Sequence, residues 1–186
     1  MVISFTGTGG VGKSTLLQLC KKEFGDRFSY VEEVTRFVKR EYGVSINEAG
    51  DDQTQLLILN QHLVNSIKHP KDVIMDRCIV DGVIYTNWLC KEGKVDEWIV
   101  DYAIGLLYIL VRKINVVFHC IADFDLVDDG ERSTDIRFRN DIKEQMAYYL
   151  NGMVGTPEFP MVVELRGSIE NRMQVIKDTI SQYGTR

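Results

Sequence analysis

Cysteine, proline and histidine are scarce in this 186-residue sequence, and each scarcity argues against a class of protein. The four cysteines form no C-x-x-C pair and have no metal-ligand spacing, which disfavours a disulfide scaffold or a zinc site. The three histidines show no ligand-like pairing. The three prolines form no linker, and repeats and low-complexity segments are missing as well. We therefore expect one reduced domain over residues 1–186.

Long hydrophobic runs and excess basic charge are also missing. The longest apolar stretch, residues 98–111, is interrupted by Asp101, whereas a membrane span needs about 20 apolar residues. This stretch predicts a buried helix, or a helix half covered by the second subunit of a homodimer. The formal net charge is -5, so bulk charge does not attract a polyanion. No signal-peptide pattern precedes the first strand, and we expect a cytoplasmic protein with no membrane partner.

Apolar periodicity predicts an α/β domain in which five short strands alternate with helices. The strands are expected at residues 2–6, 28–31, 73–75, 115–121 and 161–165. No hairpin signal is present, so the strands should form a parallel sheet with helices on both faces, and ligands of such sheets bind at the carboxyl ends of the strands. The predicted buried stripes of the two longest helices are Leu56, Leu59, Leu63 and Ile67, and Phe138, Ile142, Met146 and Tyr149.

The glycine-rich stretch SFTGTGGVGKST, residues 4–15, fits two phosphate-binding signatures. Residues 7–12 satisfy the G-x-G-x-x-G pattern of dinucleotide folds, and Glu32 stands where such folds place a ribose-binding acid. Residues 7–14 satisfy the G-x-x-x-x-G-K-[ST] pattern of nucleoside triphosphate sites. Lys13 and the hydroxyl of Ser14 occupy positions that bind phosphate and Mg²⁺, which a dinucleotide fold does not require. The triphosphate interpretation is favoured, and a dehydrogenase is its alternative.

The residues expected to surround the phosphates follow from that pattern. They are Gly7, Thr8, Gly9, Gly10, Val11, Gly12, Lys13, Ser14 and Thr15. An acid directly after a buried strand often reaches Mg²⁺, so Asp76 is the expected partner of Ser14 at a magnesium site. A helix-capping role for Asp76 is the alternative.

The predicted lid comprises residues 123–139. Its last eight residues contain three arginines, Arg132, Arg137 and Arg139. Guanidinium groups on a mobile loop can bind the charge that develops during phosphoryl transfer, whereas an ordinary solvated loop is the alternative. Arg137 and Arg139 would lie about 100° to either side of the stripe that begins at Phe138. Both cannot reach one phosphate, so Arg132 and one of these two are expected at the site.

Taken in order, GTGGVGKST, EEVTR, DRCIVD, DDGERS and VVELRGSIENR resemble the NadR-type ribosylnicotinamide kinase domains, a group of AAA-type kinase domains. The DRCIVD segment is also similar to the D/E-R-S region of deoxynucleoside kinases and the D-R motif of thymidylate kinases. The resemblance covers nearly the whole chain. It implies a P-loop NTPase fold with strand order 2-3-1-4-5, an arginine-bearing lid and ATP as phosphoryl donor.

The same resemblance implies roles for further residues by position. Glu33 and Arg36 match an E-x-x-R motif on the acceptor side, and Arg77 matches an arginine that contacts phosphate or orients the neighbouring acid. Gly167 and Ser168 match a loop that lies near adenine. Residues 32–65 carry no motif that indicates nicotinamide, so the identity of the acceptor stays open.

The predicted function is a kinase that transfers the γ-phosphoryl group of ATP to a nucleoside, nucleotide or similar small acceptor. Glu33 is the expected acid beside the acceptor, with Asp76 and Glu32 as rivals, because adjacent strand residues face opposite sides. One alternative is a phage-type kinase acting on hydroxymethyl pyrimidine bases in DNA, which the acidic net charge disfavours. Another is a nucleotide-hydrolysing switch with a protein partner, although no N-K-x-D motif for guanine is present.

Overall fold

A five-stranded parallel sheet with strand order β2-β3-β1-β4-β5 forms the centre of the fold. The computed structural model describes residues 1–121 and 135–183, and the structural statements below refer to those residues. The strands are β1 Val2–Thr6, β2 Ser29–Val31, β3 Val73–Asp76, β4 Val116–Cys120 and β5 Met161–Leu165. Both the predicted strands and the strand order implied by the resemblance are confirmed.

Helices connect the strands and cover the sheet. They are α1 Lys13–Phe24, α2 Val34–Tyr42, α3 Asp52–Lys68, α4 Ile79–Lys91, α5 Glu97–Leu110, α6 Ile136–Met153 and α7 Ile169–Tyr183. Gly25 and Gly43, at φ 50° and φ 66°, end α1 and α2, because a glycine tolerates positive φ without the steric penalty of a Cβ. Asp51 begins α3 by accepting a hydrogen bond from the backbone N–H of Thr54 at 2.9 Å.

Two hydrophobic clusters lie on opposite faces of the sheet. The side chains of α1 and α7, including Leu16 and Ile176, pack on one face against Phe5 and Phe118. The helices α3 to α6 contribute to the cluster on the other face. This arrangement leaves the carboxyl ends of the strands to the connecting loops, which is where the predicted site residues lie.

The buried face of α3 differs from the predicted one. Ile58, Leu59 and His62 are buried, whereas Ile67 is 66% exposed. Polar side chains occupy the inner face because distant partners satisfy them: the hydroxyl of Thr86 donates to Oε1 of Gln55 at 3.0 Å. The stripe predicted from the apolar residues of α3 is therefore rotated about the helix axis relative to the face that is buried. The predicted buried stripe of α6 is correct for Phe138, Ile142 and Met146. Its next buried residue is Leu150 rather than the predicted Tyr149.

The apolar helix α5 packs within the chain on one face only. Ile99, Ala103 and Leu107 are buried, but Trp98 and Tyr108 are exposed. The prediction of a helix buried within the chain is therefore wrong for its outer face, and the alternative of a covering second subunit stays a prediction. Within residues 1–121 and 135–183, none of the helices combines the length and the hydropathy needed to cross a membrane.

Candidate active site

The phosphate loop joins β1 to α1 at the carboxyl edge of the sheet, as the sequence pattern predicts. Gly7, Gly10 and Gly12 have φ angles of 144°, 86° and 87°, which side chains other than glycine rarely adopt. At Gly7, an added Cβ would also lie 2.5 Å from the carbonyl oxygen of Cys120. The glycines are thus required by backbone conformation and, at Gly7, by the close approach of the last residue of β4.

Lys13 is buried at the start of α1, with its ammonium group folded back on the loop. Its Nζ donates to the carbonyl oxygens of Gly7 at 2.9 Å and Thr8 at 2.7 Å. Burial, together with the charge of Arg77, lowers the pKa of Lys13. An ammonium group has three N–H donors, so a third can reach a phosphate while two hold the loop. Lys13 therefore also supports the loop conformation.

Ser14 and Asp76 come together from α1 and the end of β3. Oγ of Ser14 donates to Oδ2 of Asp76 at 2.6 Å. Asp76 is buried, and its Oδ1 has no hydrogen-bond partner among the described residues. Burial raises the pKa of Asp76, against the opposing charge of Lys13.

A magnesium ion fits this pair of side chains. Mg²⁺ prefers oxygen ligands and usually binds through one or two carboxylates, several waters and the phosphates of a substrate. The hydroxyl of Ser14 and the carboxylate of Asp76 supply such oxygens, and the orphaned Oδ1 lacks the positive partner that a cation or its water would provide. In the described part of the chain, no three histidine, cysteine or acidic side chains cluster to hold a metal ion by themselves.

Arg77 is the centre of a buried ionic network. Its Nε donates to Oε1 of Glu33 at 2.7 Å, and its Nη1 donates to Oδ1 of Asp81 at 2.9 Å and to the carbonyl of Gly7 at 3.2 Å. Arg77 has a φ angle of 74°, a strained conformation for a residue other than glycine. The network of charged hydrogen bonds stabilises that conformation, and it ties the start of α2, α4 and the phosphate loop to one guanidinium.

Glu33, rather than Glu32, faces this network. The side chain of Glu33 is 15% exposed, and its second oxygen accepts a hydrogen bond from Nε of Arg36 at 3.0 Å. Burial opposes its ionisation, but the charges of Arg77 and Lys13 outweigh that effect and lower the pKa of Glu33 to about 2. Glu32 is exposed. Of the two adjacent glutamates, Glu33 is therefore the one whose side chain points into the network. Its role beside an acceptor stays a prediction.

One cleft brings most of the predicted residues together. The phosphate loop forms one wall, and Glu33, Arg36, Tyr85 and Arg139 line the rest. The guanidinium of Arg137 lies elsewhere, paired with the carboxylate of Glu92 at the end of α4.

Other predicted residues fall outside this cleft or outside the described residues. Asp76 lines the neighbouring pocket together with Ser14, Glu32 and Glu33. Arg132 and most of the predicted lid belong to residues 122–134, which the structure does not describe. Gly167 and Ser168 follow β5 on the far side of the phosphate loop and do not line the cleft.

Asp81 and Tyr85 take part in the site although neither was predicted as a site residue. Burial raises the pKa of Tyr85, against the charge of Arg77, whose guanidinium carbon lies 5.3 Å from the centre of the tyrosine ring. Arg77, Asp81 and Tyr85 follow one another at intervals of four residues across the start of α4. Within α4 this spacing places Asp81 and Tyr85 on one helix face, and Asp81 contacts Arg77 just before the helix, so the spacing was a signal that could have identified both residues.

Comparison with known proteins identifies the family. The AAA domain family matches residues 2–172, whereas comparison with curated proteins finds no match. The structure of deoxyadenosine kinase from M. mycoides with bound dCTP is similar, with a TM-score of 0.71 and 17% identity over 98% of this chain and 100% of that chain. Thymidylate kinase from Candida albicans has a TM-score of 0.68 and 17% identity over 98% of this chain and 92% of that chain.

The structure of the NadR protein in complex with NR is also similar. Its TM-score is 0.71 and its identity is 14%, over 98% of this chain and 51% of that chain. At these identities the structural likeness shows a shared fold, which is that of P-loop nucleoside and nucleotide kinases. Because the family match extends over most of the chain, this protein belongs to the AAA domain family and has the P-loop kinase fold that the motifs imply.

Proposed function

We propose that this protein is a kinase that transfers the γ-phosphoryl group of ATP to a small nucleoside or nucleotide acceptor. The observation that carries the proposal is the position of an ionised carboxylate, Glu33, in the same cleft as Lys13 and Ser14. A site that only binds or hydrolyses a triphosphate has no need of a second, charged subsite beyond the terminal phosphate.

On the donor side, the backbone N–H groups of residues 7–15 and the ammonium of Lys13 bind the phosphates of ATP. Ser14 and Asp76 hold Mg²⁺, which when bound neutralises charge on the phosphates. Arg139 lines the cleft and is the described lid arginine positioned to meet the transferred group. Gly167 and Ser168 lie toward the adenine, on the opposite side of the loop from Glu33.

On the acceptor side, Glu33 accepts a hydrogen bond from the attacking hydroxyl and points it at the γ-phosphorus. A carboxylate with a pKa of about 2 is a weak base, so Glu33 orients the hydroxyl first and takes its proton late. This order suits phosphoryl transfer, whose loose transition state needs little help from a base. The new bond joins the acceptor oxygen to phosphorus, the bond from phosphorus to the β,γ-bridging oxygen breaks, and the proton passes through Glu33 to solvent.

The similar structures support a nucleoside-like acceptor. Three of them hold deoxynucleotides in deoxyadenosine kinase, and others hold NR, or NAD with AMP-PNP, in the NadR protein. Arg36, Asn47 and Tyr85, which line the cleft together with Glu33, offer both hydrogen-bonding groups and an aromatic ring. Such a lining suits a sugar or a heteroaromatic ring rather than a protein side chain.

A panel of acceptors tests this proposal. ADP formation from ATP is measured with each of four classes: nucleosides, nucleoside monophosphates, nicotinamide riboside, and DNA containing hydroxymethyl pyrimidines. One small acceptor should stimulate ADP formation strongly over a slow basal rate, because closure around the acceptor completes the site. Stimulation by the modified DNA alone, or by no small molecule, would contradict the proposal.

A further inference from the structure

A buried arginine on α7 holds three loops at the carboxyl edge of the sheet. Arg172 lies in the first turn of α7 and is 1% exposed, on a face whose later positions bury Ile176 and Ile180. Its Nη1 donates to the carbonyl of Val11 at 2.9 Å, its Nη2 to the carbonyl of Ile121 at 2.7 Å, and its Nε to the carbonyl of Gly167 at 2.9 Å.

The three carbonyls belong to segments that are far apart along the chain. Val11 is in the phosphate loop, Ile121 follows β4, and Gly167 follows β5. Arg172 and Val11 are 161 residues apart. Both ends of the donor site are therefore tied to one guanidinium: the loop that holds the phosphates and the loop proposed to lie near adenine.

Planarity of the peptide bond gives these contacts a consequence for ligand binding. In a trans peptide the carbonyl C=O and the following N–H point in opposite directions. Because Arg172 draws the Val11 carbonyl toward itself, the N–H of Gly12 points away from Arg172, and Gly12 lines the cleft. The same geometry at Gly167 sets the direction of the Ser168 N–H.

We propose that Arg172 is a positioning residue for the nucleotide donor, a role that rests on the proposed function. It aims the backbone N–H groups of Gly12 and Ser168 before ATP arrives, so that less ordering is needed on binding. A planar guanidinium can serve three acceptors in fixed directions, whereas a lysine ammonium is a compact charge on a flexible stem. An apolar residue of similar volume would fill the space but release all three carbonyls.

Binding of AMP-PNP with Mg²⁺ tests this role without any need for an acceptor. Calorimetry on Arg172→Lys and Arg172→Met should show dissociation constants about 10- to 100-fold above the wild-type value, since small misplacements of binding groups have effects of that size. The control variant is Lys177→Met. Lys177 also lies in α7, is partly exposed, and pairs with Glu23 of α1. This variant should bind like the wild type.

Hydrogen exchange separates positioning from a general loss of stability. In Arg172→Lys, the amides of Leu16 and Ile121, which donate to the carbonyls of Gly12 and Leu165 in the tethered segments, should exchange faster while those of α3 keep their wild-type rates. With the acceptor found by the panel, the KM for ATP should rise while the KM for the acceptor stays within about twofold, since two of the carbonyls that Arg172 holds, those of Val11 and Gly167, belong to the proposed donor-side loops.

Each outcome decides one question. Wild-type affinity for AMP-PNP in both variants, or equal loss of protection throughout the chain of Arg172→Lys, would overturn the positioning role. If Arg172→Met does not fold, Arg172→Lys decides alone. If the wild-type protein itself does not bind AMP-PNP, the proposed function fails, and the role of Arg172 fails with it. If the wild type binds AMP-PNP but phosphorylates no acceptor, the proposed function fails while the binding test of Arg172 still stands.

Discussion

Nε of Arg77 donates a hydrogen bond to Oε1 of Glu33 at 2.7 Å, across 44 positions of the chain. The pair joins the end of β2 to the end of β3 and places a negative charge beside the phosphate loop. Removal of Arg77 would leave Glu33 with Arg36 as its remaining partner, and removal of Glu33 would leave Arg77 with Asp81, so the loss of either residue weakens a buried ionic network. The two residues are therefore energetically coupled, and a substitution of either one changes the environment of the other.

Glu33→Gln tests the acceptor side. We expect kcat to fall by about 10² to 10⁴ while the affinity for ATP changes little, because a glutamine neither orients the acceptor hydroxyl as a carboxylate does nor takes its proton. Glu32→Gln is the matched control, since it makes the same change at the exposed neighbour, and should retain nearly full kcat. Steady-state kinetics with varied ATP and varied acceptor measure both. If the two variants exchange behaviour, the assignment of the acceptor-side acid to Glu33 is wrong.

Lys13→Ala tests the donor side. It removes a charge from the phosphates and two hydrogen bonds from the loop, so we expect turnover to fall by at least about 10²-fold, as for loss of a transition-state donor. Lys21→Ala, at an exposed position of the same helix, is the control and should be neutral. Circular dichroism checks that the secondary structure is kept. A Lys13→Ala enzyme with most of its activity would refute the triphosphate assignment.

Ser14→Ala and Asp76→Asn test the magnesium site. Each removes one of the oxygens proposed to hold the ion or its water, so the Mg²⁺ concentration for half-maximal rate should rise about 10- to 100-fold. In the wild type, a chelator should abolish turnover and added Mg²⁺ should restore it. The measurement is the initial rate across a Mg²⁺ titration at fixed ATP. Unchanged titration curves in both variants would show that the metal is held elsewhere.

His62 predicts how stability depends on pH. Burial lowers its pKa from 6.5 to about 4, with Asp81 opposing and Arg77 assisting. Between those values the unfolded chain binds a proton more readily than the folded chain, so the free energy of unfolding falls as the pH is lowered. From pH 7 to pH 5 this loss amounts to about 1 to 2 kcal/mol. The pKa of Glu33, lowered from 4.5 to about 2, adds a separate loss only below about pH 4.5.

Denaturant unfolding at pH 7 and pH 5 measures this dependence. His62→Gln should lose less stability over that interval than the wild type, because the titrating group is gone. His69→Gln, at the end of the same helix, should keep the wild-type dependence. Equal pH dependence in the wild type and His62→Gln would show that His62 does not control it.

Local patterns explain which parts of the fold could be predicted. The apolar runs of β1 and β5 and the glycines that end α1 and α2 carry their information within a few residues, and the elements lie where the patterns place them. The inner face of α3 could not be found in this way, because it buries His62 as well as Gln55, and Gln55 has its partner, Thr86, elsewhere in the chain. A polar residue is buried when a distant group satisfies it, which no window of sequence shows.

The same distinction applies to the site. The phosphate loop and Asp76 follow from motifs, since their chemistry needs fixed residue types at fixed spacing. The choice between Glu32 and Glu33 depended on which one meets Arg77. Arg172 stands at a stripe position that otherwise holds isoleucine, which was a signal of an internal role, but its partners on three other segments became visible only in the folded chain.

The central claim is that the γ-phosphoryl group reaches a small acceptor rather than water, and product stoichiometry tests it most directly. Mass spectrometry of the acceptor from the panel, together with measurement of ADP and free phosphate, follows the group to its destination. The account predicts about one phosphorylated acceptor for each ADP and little free phosphate, because closure of the cleft excludes water. ADP with an equal amount of free phosphate, stimulated by a protein partner and with no phosphorylated acceptor, would contradict it and indicate a nucleotide-dependent switch.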